Sequence, residues 1–150
     1  MGNAQQPAES YDVAILGGGL AGLTLGLQLK RARPETSVFI AEKRPGLAPE
    51  AAFKVGESTV EVSAHYFADV VGVKDHLETQ QLHKFGLRWW FPADGNRSLA
   101  ERIERGINKP LDHPSYQLDR GRFENFLTEQ NRAAGVDLFQ GCRVQDVDLD

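Results

Sequence analysis

The chain has 150 residues, of which 41% are hydrophobic and 25% charged, with a formal net charge of −4. That length suits one ordinary domain, which at this size buries roughly 68–70% of its unfolded surface. The acidic balance argues against nucleic acid as a partner, since phosphate binding wants a basic excess. A single cysteine, Cys142, excludes an intrachain disulfide and points to a reducing cytoplasm.

Residues 1–10 are polar, have no basic leader segment, and read as a disordered tail. The segment Tyr11–Leu16 is a short apolar strand that runs into glycines. From Leu20 to Ala32, leucines recur at helical spacing, with Lys30, Arg31 and Arg33 at the end and Pro34 as the stop. Thr36–Glu42 is a second buried strand rich in β-branched residues. These three segments predict a βαβ unit with parallel strands and a right-handed crossover. The apolar run Val13–Leu29 holds five glycines and sits at the short end of a membrane span, so no span is expected.

Residues 43–58, with two prolines, read as a loop. A helix is predicted over 59–71 and a shorter one over 73–80. The stretch LHKFGLRWWF, Leu82–Phe91, predicts one strand. Its alternation would put His83, Phe85, Leu87, Trp89 and Phe91 on one face, and Lys84, Gly86, Arg88 and Trp90 on the other, with at least one tryptophan in the core. An irregular connection follows, with one helical turn expected near Ala100–Arg105. A helix from Arg120 to Ala134 is predicted, capped by Asp119 and closed by Gly135. Two strands are expected at the end, over 136–141 and 142–150, with Cys142 a small apolar residue on the second. The final residues read as a strand still in progress, so the chain looks like the N-terminal portion of something longer.

The turn between the first strand and helix carries the clearest chemistry. GGGLAG supplies Gly17, Gly19 and Gly22 as G-x-G-x-x-G, and Glu42 ends the second strand. Strand, glycine turn, helix and acidic residue together form a dinucleotide-binding fingerprint. Gly17 permits the tight turn, and Gly19 leaves room for a pyrophosphate. Leu20 and Ala21 open the helix whose free N–H groups would face that pyrophosphate, and Gly22 lets helix and strand pack closely. Glu42 would accept hydrogen bonds from ribose hydroxyls. The residues alone leave NAD and FAD both open. His76, His83 and His113 lack metal-ligand spacing, so no metal is expected. GEST is not a nucleophile elbow, because Val60 replaces the final glycine.

The segment DVAILGGGLAGLTLGLQL, with VFIAEKR after it, resembles the FAD-dependent monooxygenase and halogenase superfamily. In that superfamily a basic residue follows the acidic one two positions on, here Arg44 after Glu42. YQLDRGRFENFL resembles the superfamily's second signature and carries over Arg120 as a flavin-nucleotide contact. Val144, placed on the last strand, matches a position whose backbone touches adenine. KVGESTVE resembles the G-E-[SA]-T loop of flavin-dependent halogenases, of the tryptophan and pyrrole halogenase kind, and aligns Gly56, Glu57 and Ser58 beside the flavin. KFGLRWW is similar to their K-x-G-x-[RK]-[FW] segment and aligns Lys84 with the halogenase lysine.

The resemblance covers nearly all of residues 11–150. It implies an α/β Rossmann-like FAD-binding fold of the glutathione-reductase or hydroxylase type, with residues 82–115 leading toward a substrate region. It also implies reduced FAD from a separate flavin reductase, oxygen and a halide ion acting on an electron-rich aromatic substrate. Lys84 would hold or activate the hypohalous acid, and Glu57 is a candidate catalytic acid. Two features leave alternatives open. Glu61 stands where many halogenases carry proline, and the W-x-W-x-I-P motif would lie beyond residue 150. An FAD-dependent monooxygenase or reductase without halide chemistry, or a non-catalytic nucleotide-binding fragment, therefore remains an alternative.

Overall fold

The computed structural model describes residues 8, 10–51, 57–109 and 111–149. Of the expected tail, Ala8 and Ser10 are described, both exposed, and the other residues lie outside that description, as does residue 150.

Strand β1 (Val13–Leu16) leads through the glycine turn into helix α1 (Leu20–Ala32), which returns to β2 (Val38–Glu42). The two strands are parallel, with Val13 opposite Val38 and Leu16 opposite Ala41. A later strand, β7 (Asp137–Gln140), joins the far edge of β2, also parallel, so the sheet order is β1-β2-β7. The predicted βαβ unit is present, and α1 has the predicted bounds. Its leucine stripe accounts for this: Leu23 and Leu27 are buried against the sheet, each worth about 1.5–3 kcal/mol. Lys30 closes the helix by donating to the Pro34 and Thr36 carbonyls at 2.6 and 3.0 Å.

The helix predicted over 59–71 is α2 (Glu61–His65), running on as a π-helical turn over Tyr66–Val70. Helix α3 (Lys74–Gln80) follows. Helix α4 (Arg120–Ala133) starts where Asp119 accepts a hydrogen bond from the Arg122 N–H at 3.1 Å. It ends at Gly135, whose φ of +80° favours glycine. Phe123 and Leu127 on its inner face are fully buried. Helices α1 and α4 cross closely: Asn131 donates to the Leu23 carbonyl at 2.9 Å, and a side chain at Gly26 would strike Asn131. The core joins Ile15, Leu23 and Ile40 of the βαβ unit to Phe67, Leu77, Tyr116, Phe123 and Leu127.

The chain departs from expectation between 82 and 117. Leu82–Phe91 is two strands, β3 (Leu82–Lys84) and β4 (Arg88–Phe91), not one. Gly86 breaks it with φ +114°, a value that a residue with a side chain rarely adopts. The break sends the halves to different partners, so the single alternation of faces does not run through. Strand β4 pairs with β5 (Ile103–Gly106), which occupies the place of the expected helical turn. Both tryptophans are half-exposed on this two-stranded ribbon, so neither is core. Strand β3 pairs antiparallel with β6 (Ser115–Gln117), inside what reads as an irregular connection.

At the other end, residues 142–149 form no strand, because they find no hydrogen-bonding neighbour strand among the described residues. Cys142 is exposed rather than a buried strand residue. No helix among the described residues is long and apolar enough to cross a membrane.

Candidate functional site

The glycine turn is built by close backbone contact. The Gly17 N–H donates to the Ala41 carbonyl at 2.8 Å, tying the end of β1 to β2. A Cβ on Gly22 would stand 2.0 Å from the Gly17 carbonyl oxygen, so only glycine lets α1 start this near the turn. A Cβ on Gly19 would meet nothing nearer than Glu124 Oε1 at 4.0 Å, so the space before the helix is open. Gly19 caps α1 without a side-chain hydrogen bond, and no acidic residue stands in the first turn. The N-terminal N–H groups and the positive end of the helix dipole are thus presented to that space, an arrangement suited to an anion.

Two clefts flank the turn and share Leu16 and Gly17. One, of about 540 Å³, is lined by Gly19, Leu20, Ala21, Gly22 and Arg120. The other, of about 450 Å³, is lined by Glu42, Lys43, Arg143 and Val144 among others. Val144 therefore reaches the turn from an irregular segment, not from the expected strand. That segment is pinned by Gly141 and Cys142, whose N–H groups donate to the Arg44 and Glu42 carbonyls, each at 3.0 Å. Glu42 is nearly buried. One carboxylate oxygen accepts from the Gly18 N–H at 2.7 Å, the other from the Arg44 N–H at 2.8 Å. Each oxygen retains a further lone pair, so ribose hydroxyls can still be accepted.

An ionic network extends from this turn toward the GES loop. Glu124, 2% exposed, accepts from Arg120 Nη2 at 2.5 Å and pairs with Arg44 Nη2 at 3.5 Å. Arg120 Nη1 pairs with Glu57 Oε2 at 3.3 Å, and Arg120 Nε is buried with no partner. Glu57 is thus engaged by an arginine side chain. Its backbone carbonyl also accepts from the Leu118 N–H at 2.9 Å. Gly56 lies outside the described residues, and Ser58 is exposed in a bridge to Gln117.

Strand β6 then joins the loop to Lys84. Thr59 donates its N–H to the Tyr116 carbonyl at 2.8 Å, and its hydroxyl accepts from the Tyr116 N–H at 2.7 Å. On the other side of β6, Lys84 lies opposite Ser115. The half-buried Lys84 ammonium donates to the Thr59 carbonyl at 2.7 Å. Lys84 and the GES loop, well separated in sequence, are in direct contact. Arg88, on the same face as Lys84 in a continuous strand, belongs instead to the exposed ribbon and pairs with Glu104 at 2.6 Å.

Sequence reasoning did not single out Glu124 or β6. Glu124 had a signal: it stands four residues after Arg120 on one helix, the spacing of a facing ion pair. Strand β6 had almost none, being three residues long. His65 is exposed and pairs with Asp69 one helical turn on, and Tyr66 donates to Gln28 of α1 at 2.9 Å. Among the described residues no group of three or more His, Cys, Asp or Glu side chains could hold a metal ion.

The parallel βαβ unit and its open helix N-terminus define a Rossmann-like dinucleotide-binding domain. A family profile described as an NAD(P)-binding Rossmann-like domain matches residues 15–84. The flavin-dependent halogenase chlA of Dictyostelium discoideum is 35% identical over 146 residues, covering 92% of this chain and 24% of that protein. A 1H-pyrrole-2-carbonyl-(peptidyl-carrier protein) chlorinase of Pseudomonas fluorescens is 28% identical over 159 residues, covering 93% of this chain and 33% of that protein. Among solved structures, the myxobacterial chondrochloren halogenase CndH, a variant of FAD-dependent halogenases, superposes with a TM-score of 0.73 at 24% identity. It covers 95% of this chain and 31% of its own. By sequence the chain is similar to flavin-dependent halogenases, and its fold agrees. It spans about a quarter to a third of the length of the curated relatives it matches.

Proposed function

We propose that this chain forms the FAD-binding front of a flavin-dependent halogenase. The observation that carries the reading is a set of polar contacts that runs from Gly18 through Glu42, Arg44, Glu124 and Arg120 to Glu57. Two residues further along the same loop, the Thr59 carbonyl accepts from Lys84. In this reading the four segments that carry the family resemblance are parts of one site.

The residues present fit FAD. The open space before Gly19 takes the pyrophosphate against the N-terminus of α1. Glu42, beside Val144, takes the ribose and adenine end. Arg120, over the other cleft, supplies a cation near the phosphates or ribityl chain. FAD, reduced by a separate flavin reductase, supplies the oxidising chemistry with oxygen and halide. The chain's own contribution at the far end is Lys84. Its ammonium, fixed by the Thr59 carbonyl and the β3–β6 pairing, presents its remaining N–H donors to an oxygen of hypohalous acid. Rigid backbone support of this kind suits a group that must hold an oxidant in one place. Glu57, committed to Arg120, serves to hold that arginine and the loop, and a role as acid would require that pair to open. Residues 82–115, with their exposed aromatic ribbon, lead toward the substrate region, where an electron-rich aromatic compound is the substrate.

Two measurements test the reading. Purified chain titrated with FAD should quench flavin fluorescence with saturation; no saturable change removes the cofactor assignment. In the full-length protein, with reductase and chloride or bromide, Lys84→Ala should abolish halogenated product while oxidation of reduced FAD continues. Product at the wild-type rate removes the role of Lys84.

A further inference from the structure

Glu124 sits where a negative charge is hardest to justify. Its carboxylate is buried, and Oε1 lies 4.0 Å from where a Cβ on Gly19 would stand, just beneath the turn that would receive an anion. Burying a carboxylate costs several kcal/mol unless it is well paired, and a nearby phosphate makes that worse. A compensating task is therefore required. The two partners supply it. Arg44 comes from the segment after β2, and Arg120 from the start of α4, and Glu124 contacts both. Each arginine has one further anchor on its own side: Arg44 Nε donates to the Gly46 carbonyl at 3.2 Å, and Arg120 pairs with Glu57. Of these groups, Glu124 alone contacts both arginines.

We propose that Glu124 is a positioning residue, whose carboxylate holds the guanidinium groups of Arg44 and Arg120 together, so that Arg120, which lines one of the two clefts, and Arg44, two residues after Glu42, are preorganised for the phosphates and ribose of the dinucleotide. This rests on the FAD reading above. Without Glu124, two long cationic side chains lose their common anchor, and ordering them falls to the ligand. The position deletes a repulsion as well as an anchor when neutralised, so the sign of the effect is informative. If preorganisation dominates, binding weakens; if simple charge repulsion dominates, binding tightens.

The test uses Glu124→Gln, which keeps shape and removes charge. FAD binding is followed by flavin fluorescence. ADP, which carries the phosphates and adenosine without the flavin ring, is followed by calorimetry, with folding checked by thermal melting. Hydrogen bonds to charged groups are worth about 1.5–3 kcal/mol, so both dissociation constants should rise at least about tenfold. Combining Glu124→Gln with Arg44→Met should weaken binding by clearly less than the product of the two single effects, since part of what Glu124 does is to hold Arg44 and coupled neighbours are not additive. Unchanged or tighter binding by a folded Glu124→Gln chain overturns the inference, and so does full additivity. Should Glu124→Gln fail to fold, Glu124→Asp decides. It keeps the charge but, one methylene shorter, does not span both arginines, so ADP affinity should still fall; wild-type affinity overturns the proposal. If the wild-type chain binds neither FAD nor ADP, it is the cofactor reading that has failed.

Discussion

Two alanine substitutions three residues apart should have opposite consequences. In Gly22→Ala, the new methyl would stand 2.0 Å from the Gly17 carbonyl oxygen and 3.0 Å from Ile15 Cγ2. The first is a backbone atom held by the β1–β2 pairing, so α1 itself must move away. Overpacking of this kind costs about 1–3 kcal/mol and occasionally more, and the depth of this clash argues for the upper end. With each kcal/mol worth about 2–4 °C in a domain of this size, the melting temperature should fall by about 6–12 °C. In Gly19→Ala, the backbone at φ −82° suits alanine, and the nearest atom is 4.0 Å away. Losing glycine at an N-cap costs a few tenths to about 1 kcal/mol, and restricting the unfolded chain returns a similar amount. Stability should therefore stay within about 1 kcal/mol of wild type. The methyl does, however, stand before the helix N-terminus, where the pyrophosphate would lie. Displacing that group by a methyl's width should cost about 2–3 kcal/mol of binding, or about 30–150-fold in the FAD dissociation constant. Thermal melting and a fluorescence titration on the same samples read both effects. Wild-type FAD affinity in Gly19→Ala would refute the placement of the pyrophosphate. An unchanged melting temperature in Gly22→Ala would refute the close contact of helix and turn.

Truncating Leu127, fully buried between α4 and the βαβ unit, to alanine should cost about 2–5 kcal/mol in denaturant unfolding. Asp119→Ala should cost about 0.5–2 kcal/mol, because it removes the α4 cap, and also the hydrogen bond from the Ala51 N–H at 2.8 Å. Burial pushes the Asp119 carboxyl up, but bonds from the Ala51 and Arg122 N–H groups and the Arg122 charge outweigh it, leaving the pKa lowered. Its stabilising effect is thus present above the ordinary carboxylate range and lost as pH falls through the folded-state value; a wild-type and Asp119→Ala difference that persisted at low pH would contradict this. His76, stacked on Phe126 with ring centroids 4.0 Å apart, has its pKa lowered from 6.5 by burial and then by the nearby Arg122 charge. The unfolded chain takes up that proton first, so stability should be full above about pH 6.5 and decline as pH drops below it. His76→Phe should flatten this part of the melting profile, and an unchanged slope would show that another group is responsible.

Residues 13–42 were almost fully legible as sequence. Strand, glycine turn and helix are local patterns, set by alternation, leucine spacing and the steric demands of glycine, and the parallel pairing follows from the helical crossover. Helix α4 was equally legible, because Asp119 and Gly135 mark its ends by chemistry that acts within a few residues. The stretch around Lys84 was not. Ten residues rich in aromatics satisfy a strand pattern throughout, and what divides them is Gly86, whose positive φ is set by where β6 and β5 lie. Strand β6 exists because Thr59 on one side and β3 on the other pair with it, a non-local condition that a three-residue segment cannot advertise. So of the residues of the proposed site, Gly19 and Glu42 were readable from order and spacing, and Arg120 and Lys84 from the family resemblance. Their union through Glu124 and Thr59 was decided by tertiary packing, because buried charge and strand pairing depend on partners far away along the chain.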